Sequence, residues 1–262
     1  MKVTDFKRKK QRCQKISMLT CYDYPSAKIA AQSTLDCVLV GDSVAMTVHG
    51  FETTVMATID MMCLHTAAVA RGAQPLLVVS DLPFLSYQAS RSITIHNVQR
   101  LMQAGAQAIK LEGGDDTTCQ TISYLVKAGI AIIGHIGLTP QAVHQLGGYT
   151  IQGKSEPHAQ RLLEQAQALE HAGCCALVLE CIPATLAHTI TQALTIPTIG
   201  IGAGNHTDGQ VLVWHDMLGM QDDFKPKFLK QFAHSKSFTL QAINQYAQAV
   251  RNASFPAAEH TY

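Results

Sequence analysis

Four acids of this sequence close short apolar runs: Asp42 in VLVGDS, Asp81 in LVVSDLP, Glu112 in IKLEGG and Glu180 in LVLECIP. Lys110 stands two residues before Glu112, His135 closes IIGHIG, and His215-Asp216 closes VLVWHDM. Alternate side chains of an extended strand share a face, so Lys110 and Glu112 point one way while Ile109 and Leu111 point the other. Taken alone, that pair suits an ion pair at a wet strand end, and any one acid suits the N-cap of a following helix. Acids that converge from separate strands repel one another, and so either share protons or bind a cation. Asp42, Asp81 and Glu112 suit a hard divalent ion with oxygen ligands, Mg²⁺ above all, with waters and substrate in the remaining positions. Zinc fits less well, because the cysteines and histidines lack paired ligand spacing, and a lone histidine such as His135 is ordinarily a hydrogen-bonded structural residue. Lys110 beside such a centre would receive an anionic substrate, and a carboxylate fits. Glu180, among Leu179, Cys181 and Ile182, is the candidate proton acceptor, burial raising its pKa toward the working range of a base. Its alternatives are pairing with a neighbouring base or capping the helix that starts near Pro183. No adjacent base activates Cys181 as a nucleophile.

These residues meet only if the strands carrying them lie side by side and parallel. Eight apolar runs recur: KISMLTCYD, CVLVGDS, LLVVSDLP, AIKLEGG, IAIIGHIG, ALVLECIP, TIGIGAG and VLVWHDML. Between them run helical periodicities such as Val98, Leu101, Met102 and Gly105, or Leu162, Leu163, Ala166 and Leu169. Gly72, Gly105, Gly129 and Gly173 read as left-handed helix stops. This alternation predicts a (β/α)8 TIM barrel, whose strand C-termini share one face with the active site; an open doubly wound sheet is the alternative. One domain over residues 1–262 is expected, with a C-terminal helical extension from about Leu229 to Asn252 after the loop QDDFKPKF. Two long segments, Ala45 to Thr58 and Leu138 to Pro157, are candidate lids or subunit contacts. The stretch Gly200-Ile-Gly-Ala-Gly204 suits an anion-binding loop or, equally, a tight turn with close backbone approach.

The chain has 262 residues, 47% of them hydrophobic, enough to bury a large core. A net charge of +1 and only 6% aromatics leave no nucleic-acid stripe or polybasic membrane patch, so a small-molecule partner is expected. The cluster Lys7-Arg8-Lys9-Lys10 reads as a solvated N-terminal arm. Eight cysteines without a C-x-x-C pair read as free thiols of a reduced compartment. No apolar signal core or membrane-span run is evident, and a cytoplasmic protein is expected.

In order along the chain, LTCYDYPSA, VLVGDS, HTAAVARG, DLPF, KLEGG, GHIGLTPQ, GGYTIQGK, VLECIP, IGIGAG, DGQVLVWHDMLG and PKF resemble the ketopantoate hydroxymethyltransferase family. The resemblance runs from about Ile16 to Phe228. It implies a (β/α)8 barrel of the phosphoenolpyruvate mutase/isocitrate lyase kind, assembled as a cytoplasmic homodecamer. It also implies Mg²⁺-dependent hydroxymethyl transfer from 5,10-methylenetetrahydrofolate to 3-methyl-2-oxobutanoate, giving 2-dehydropantoate on the way to pantothenate and coenzyme A. By motif, Asp42, Asp81 and Glu112 are the implied metal set. Asp42, Ser43, Asp81 and Lys110 would hold the keto acid, His135 would line the pocket, and Glu180 would accept the proton. The chain departs from the family pattern at Ala45, at Val55-Met56 and at Thr150, positions that bear on the lid and the folate side.

Two other readings stand beside this one. A related Mg²⁺-dependent carbon-carbon lyase or mutase would act on another 2-oxo acid, but the lyases' K-K-C-G-H motif is absent from the sequence. A catalytically silent barrel would be expected to have lost one of the five charged positions, and all are retained.

Overall fold

The computed structural model of the chain describes residues 1–221 and 226–262, so Asp222 to Lys225 of the loop QDDFKPKF lie outside the described residues. It forms two compact units, Met1–Leu212 and Val213–Tyr262. In the first, eight parallel strands close into a barrel in chain order: β1 (Ile16–Thr20), β2 (Cys37–Val40), β3 (Leu77–Asp81), β4 (Ala108–Glu112), β5 (Ile132–Gly137), β6 (Ala176–Glu180), β7 (Thr198–Ile201) and β8 (Gly209–Leu212). Around and between them lie α1 (Asp5–Gln11), α2 (Tyr24–Ala31), α3 (Val44–Thr47), α4 (Ile59–Gly72), α5 (Arg91–Gln103), α6 (Asp116–Lys127), α7 (Val143–Leu146), α8 (Glu156–Ala172) and α9 (Ala184–Ala193). The second unit holds α10 (Trp214–Met217) and α11 (Ser235–Arg251).

Alternation along the strands explains how the barrel carries charge at one end only. The inward rows start apolar, with Leu77 and Val79 on β3, Ala108 on β4, Ile133 on β5, and Ala176 and Val178 on β6 joined in one buried core. Two residues further on, the same rows reach Asp81, Lys110, His135 and Glu180, and on β4 a further step reaches Glu112. The registers Asp81↔Lys110, Glu112↔His135 and Gly137↔Glu180 set these rows side by side at the C-terminal ends of the strands.

The other end is closed by the N-terminal segment, which is no solvated arm. Phe6 is fully buried within the barrel core, a burial that stabilises by about 1.5–3 kcal/mol. Lys9 pairs with Asp36, and Lys10 Nζ donates to Asp208 Oδ2 at 2.9 Å and to the Thr191 carbonyl at 2.7 Å. The helix is amphipathic, so Lys9 and Lys10 tie it to the barrel floor that Phe6 plugs while Lys7 and Arg8 stay exposed.

Three other expectations meet the structure differently. Gly105, Gly129 and Gly173 are left-handed, with φ of 111°, 90° and 103°, but Gly72 is the last residue of α4 and is not. A Cβ there would stand 2.7 Å from the Tyr24 carbonyl oxygen, so its role is close approach of α4 to α2. Strand β8 begins at Gly209, where pairing with Ile16 and Ile199 adds Gly209 and the exposed Gln210 to the strand, and the chain is helical again by Trp214. Helix α11 starts at Ser235, not near Leu229. Before it, Phe232 and Ser235 donate their backbone N–H groups to the carbonyls of Met217 and Leu218, which commits that stretch to the end of α10. All eight cysteines are free. Among the described residues, no helix is long and apolar enough to cross a membrane.

Candidate active site

The strand-end residues are deeply buried: Asp42, Asp81, Lys110, Glu112 and His135 are 4, 2, 4, 6 and 2% exposed. That excludes the wet ion pair for Lys110 and Glu112. Lys110 Nζ lies 3.2 Å from Asp81 Oδ1, 3.8 Å from Glu112 Oε1 and 3.1 Å from His135 Nδ1. Asp42 lies just past β2, and its backbone N–H donates to Asp81 Oδ2 at 3.1 Å. Gly41 makes this close turn possible, since a Cβ there would stand 2.8 Å from Ser43 Oγ and 3.7 Å from Asp81 Oδ2. The Ser43 hydroxyl pairs with Tyr22 Oη at 2.8 Å.

The acids do not cap helices. Asp115 caps α6, Ser90 caps α5, and no side chain caps α3 or α9. Their charges are instead set against one another. Burial, reinforced by the carboxylates of Asp81 and Glu112, holds the Asp42 pKa well above the carboxylate range, against Lys110 and a hydrogen bond from Gln141. Burial likewise raises Asp81, with Lys110 opposing. Glu112 is also buried, but His135, Lys110 and the Gln141 N–H outweigh that and lower its pKa. Burial alone would lower Lys110, yet Asp81, Glu112 and Asp42 together raise it and keep it an ammonium.

His135 joins the two halves of the cluster. Nδ1 lies 3.3 Å from Glu112 Oε1 and Nε2 lies 3.2 Å from Glu180 Oε2. Burial and Lys110 push its pKa down, but the two glutamates prevail and lift it to about 9. Glu180 is the more open member, its side chain 17% exposed. The next residue, Cys181, is left-handed with φ 47°. Its N–H donates to the Ile201 carbonyl and its carbonyl accepts from Gln152 N–H, both at 2.9 Å, so neighbouring segments hold this strained residue in place. Burial and Glu180 push the Cys181 thiol up to about 11, which disfavours a nucleophilic role.

Both long segments reach this end of the barrel. The first contains α3 and a 3-10 turn at Thr54–Met56; the second contains a 3-10 turn at Pro140–Ala142 and α7. Tyr149 Oη donates to Met46 Sδ at 3.7 Å, joining one segment to the other. Burial raises the Tyr149 pKa, with the carboxylates of Glu180, Asp42 and Glu112 adding to the shift, which places its hydroxyl in their field. The Gly200–Gly204 loop is explained by close approach, since a Cβ on Gly204 would meet that of Ala184 at 2.5 Å. His215 and Asp216 lie on α10, in the second unit.

One central residue escaped the sequence reading. Gln141, 5% exposed, donates from Nε2 to Asp42 Oδ2 at 2.7 Å and from its backbone N–H to Glu112 Oε2 at 3.0 Å. Tyr87 supports it through its hydroxyl. The only sequence signal was the final glutamine of GHIGLTPQ, a neutral residue beyond a strand end.

The donor set fits a hard divalent cation. It is all oxygen, and two of the acids carry raised pKa values because burial and the neighbouring carboxylates outweigh the single Lys110 ammonium beside them. Among the described residues, no group of three or more His, Cys, Asp and Glu side chains is disposed to hold a metal by itself. The expected set Asp42, Asp81 and Glu112 is therefore not assembled as a three-ligand site in this structure.

Comparison with known proteins bears on what this site does. The ketopantoate hydroxymethyltransferase family model matches residues 1–258. The 3-methyl-2-oxobutanoate hydroxymethyltransferase of Legionella pneumophila (strain Lens) is 63% identical over 262 residues, covering 100% of both chains. That of Coxiella burnetii (strain CbuG_Q212) is 49% identical over 263 residues, covering 100% of this chain and 99% of the relative. Among solved structures, a phosphonopyruvate hydrolase in complex with oxalate and Mg²⁺ aligns with a TM-score of 0.64 at 12% identity, over 99% of this chain and 93% of the other. The phosphoenolpyruvate mutase/isocitrate lyase superfamily member 2,3-dimethylmalate lyase gives 0.60 at 17%, over 99% and 91%. At these identities the structural likeness shows the fold alone.

Proposed function

The chain belongs to the ketopantoate hydroxymethyltransferase family, and from that premise we propose that the buried strand-end cluster carries the family's reaction. The activity is that of a 3-methyl-2-oxobutanoate hydroxymethyltransferase, an enzyme of pantothenate biosynthesis. In our reading the one-carbon donor is 5,10-methylenetetrahydrofolate, the product is 2-dehydropantoate, and the acids serve a Mg²⁺ ion. Asp42 and Asp81 would hold the ion, with Glu112 completing the negative set. When bound, Mg²⁺ would supply Lewis-acid polarisation of the keto oxygen.

The chain's own groups account for the rest. Lys110, kept positive by the surrounding acids, offsets the charge of the substrate carboxylate, and Ser43, anchored by Tyr22, orients it. Glu180 accepts the proton from carbon 3 of the keto acid, and the enolate left behind forms the new carbon-carbon bond to the one-carbon unit as its bonds to the folate nitrogens break; water supplies the hydroxyl oxygen and tetrahydrofolate leaves. His135 lines the pocket with its Nε2 3.2 Å from Glu180 Oε2. The observation that carries this reading is the convergence itself: one lysine and one histidine face four carboxylates from separate strands, and burial with mutual repulsion of the acids raises the pKa of Asp42 and Asp81.

A homo-oligomer, decameric in the family, belongs to the same proposal; α11 supports it by exposing Phe238, Leu240, Ile243 and Tyr246. A cytoplasmic location belongs to it too, supported by eight free thiols. The test of the chemistry is exchange of the carbon 3 proton of 3-methyl-2-oxobutanoate in D₂O without folate. Exchange that requires Mg²⁺ and is lost in Glu180→Gln is the expected result. Exchange indifferent to Mg²⁺, or none in the folded protein, would overturn the reading.

A further inference from the structure

Gln141 follows β5 on the turn Pro140–Ala142, yet its bonds run to the ends of β2, β3 and β4. Nε2 carries two hydrogens, and both are used: one goes to Asp42 Oδ2 at 2.7 Å, the other to the Leu82 carbonyl at 2.9 Å. A main-chain carbonyl can only accept, so the amide nitrogen must face it and cannot be exchanged with its oxygen. Oε1 then faces Tyr87 Oη at 3.2 Å, whose single hydrogen is shared between Oε1 and the Glu112 carbonyl at 2.9 Å. The backbone N–H of the same glutamine donates to Glu112 Oε2 at 3.0 Å.

One neutral residue therefore fills one oxygen of Asp42 and one of Glu112, and Tyr87 fixes the amide that does it. Oδ2 is the only oxygen of Asp42 that accepts a hydrogen bond among the described residues, which leaves Oδ1 to turn toward a ligand. We propose that Gln141, with Tyr87 behind it, is the positioning residue of the cation site: it clamps Asp42 and Glu112 in one orientation so that the carboxylates are ready for a divalent ion before it arrives. This inference rests on the cation reading given above. Hydrogen-bonding partners of this kind orient metal-ligating carboxylates, and their loss typically weakens metal binding about 10- to 100-fold.

The test uses Mn²⁺ as the probe, titrated calorimetrically into the full-length protein, its Gln141→Met variant and its Tyr87→Phe variant. Methionine keeps the volume and donates nothing; phenylalanine removes only the hydroxyl. A thermal melt of each variant reads folding separately. The expected result is a Kd about 10- to 100-fold higher for Gln141→Met, and a smaller rise for Tyr87→Phe, with melts still cooperative. Mn²⁺ affinity within about twofold of wild type in a folded Gln141→Met overturns the positioning role while leaving the cation reading intact. If Gln141→Met does not fold, Tyr87→Phe decides, and unchanged affinity there overturns the role. Wild-type protein that takes up no Mn²⁺ overturns the cation reading, and the positioning role falls with it.

Discussion

Lys110 is the one lysine inside a cluster of acids, so its removal tests the electrostatic logic of the barrel mouth. Its Nζ is 3.2 Å from Asp81 Oδ1 and 3.8 Å from Glu112 Oε1. At an effective dielectric constant of about 20, attraction over such distances amounts to about 4–5 kcal/mol per pair. Desolvation offsets much of this in the intact protein, whereas Lys110→Met leaves the acids buried without their partner, which costs about 3–5 kcal/mol. For a chain of this size that is a fall in Tm of about 6–20 °C. The assay is urea unfolding in chelator-containing buffer, with Asp81→Asn added in both backgrounds as a double-mutant cycle. Asp81→Asn should be harmful alone but restore about 1–3 kcal/mol to Lys110→Met, because it removes a charge that has lost its counterion. A loss below about 0.5 kcal/mol in Lys110→Met, or additive effects within that margin, would refute the reasoning.

Phe6→Ala should destabilise by about 3–5 kcal/mol through the barrel floor, measured by urea unfolding, while activity per folded molecule is retained. Asp115 caps α6 through Thr118 N–H at 3.0 Å, and its pKa is lowered by hydrogen bonds from Thr118 against the cost of burial. A lowered folded pKa stabilises above the unfolded value and loses that contribution as pH falls through the folded one. Asp115→Ala should therefore cost about 1 kcal/mol near pH 7, and the difference from wild type should shrink below about pH 4 in pH-dependent unfolding. Glu112→Gln should weaken Mg²⁺ binding, while Glu180→Gln leaves it largely intact and impairs turnover; equal loss of metal in both would refute that division of roles.

How much of this was legible in the sequence varies with the physical origin of each feature. The eight strands were legible because buried parallel strands are nearly continuous apolar runs. The site was legible because period-two alternation turns an inward apolar row into an inward charged end, as in Ala108, Lys110 and Glu112. The N-terminal plug was hidden because a basic run masks the single apolar residue, Phe6, that decides its burial. Gly72 carries the same sequence signature as the true left-handed stops, and only the nearness of α2 distinguishes it. Gln141 and Tyr87 were missed because neutral hydrogen-bonding residues have no spacing rule, and their partners come from β2, β3 and β4.

The most direct test of the central claim is the anomalous scattering of Mn²⁺, standing in for Mg²⁺, in crystals containing 3-methyl-2-oxobutanoate. The account predicts one ion bonded to Asp42 and Asp81, with the keto acid's carboxylate beside Lys110 and its carbon 3 facing Glu180. An ion bound away from both aspartates, or a keto acid seated outside the barrel mouth, would contradict it.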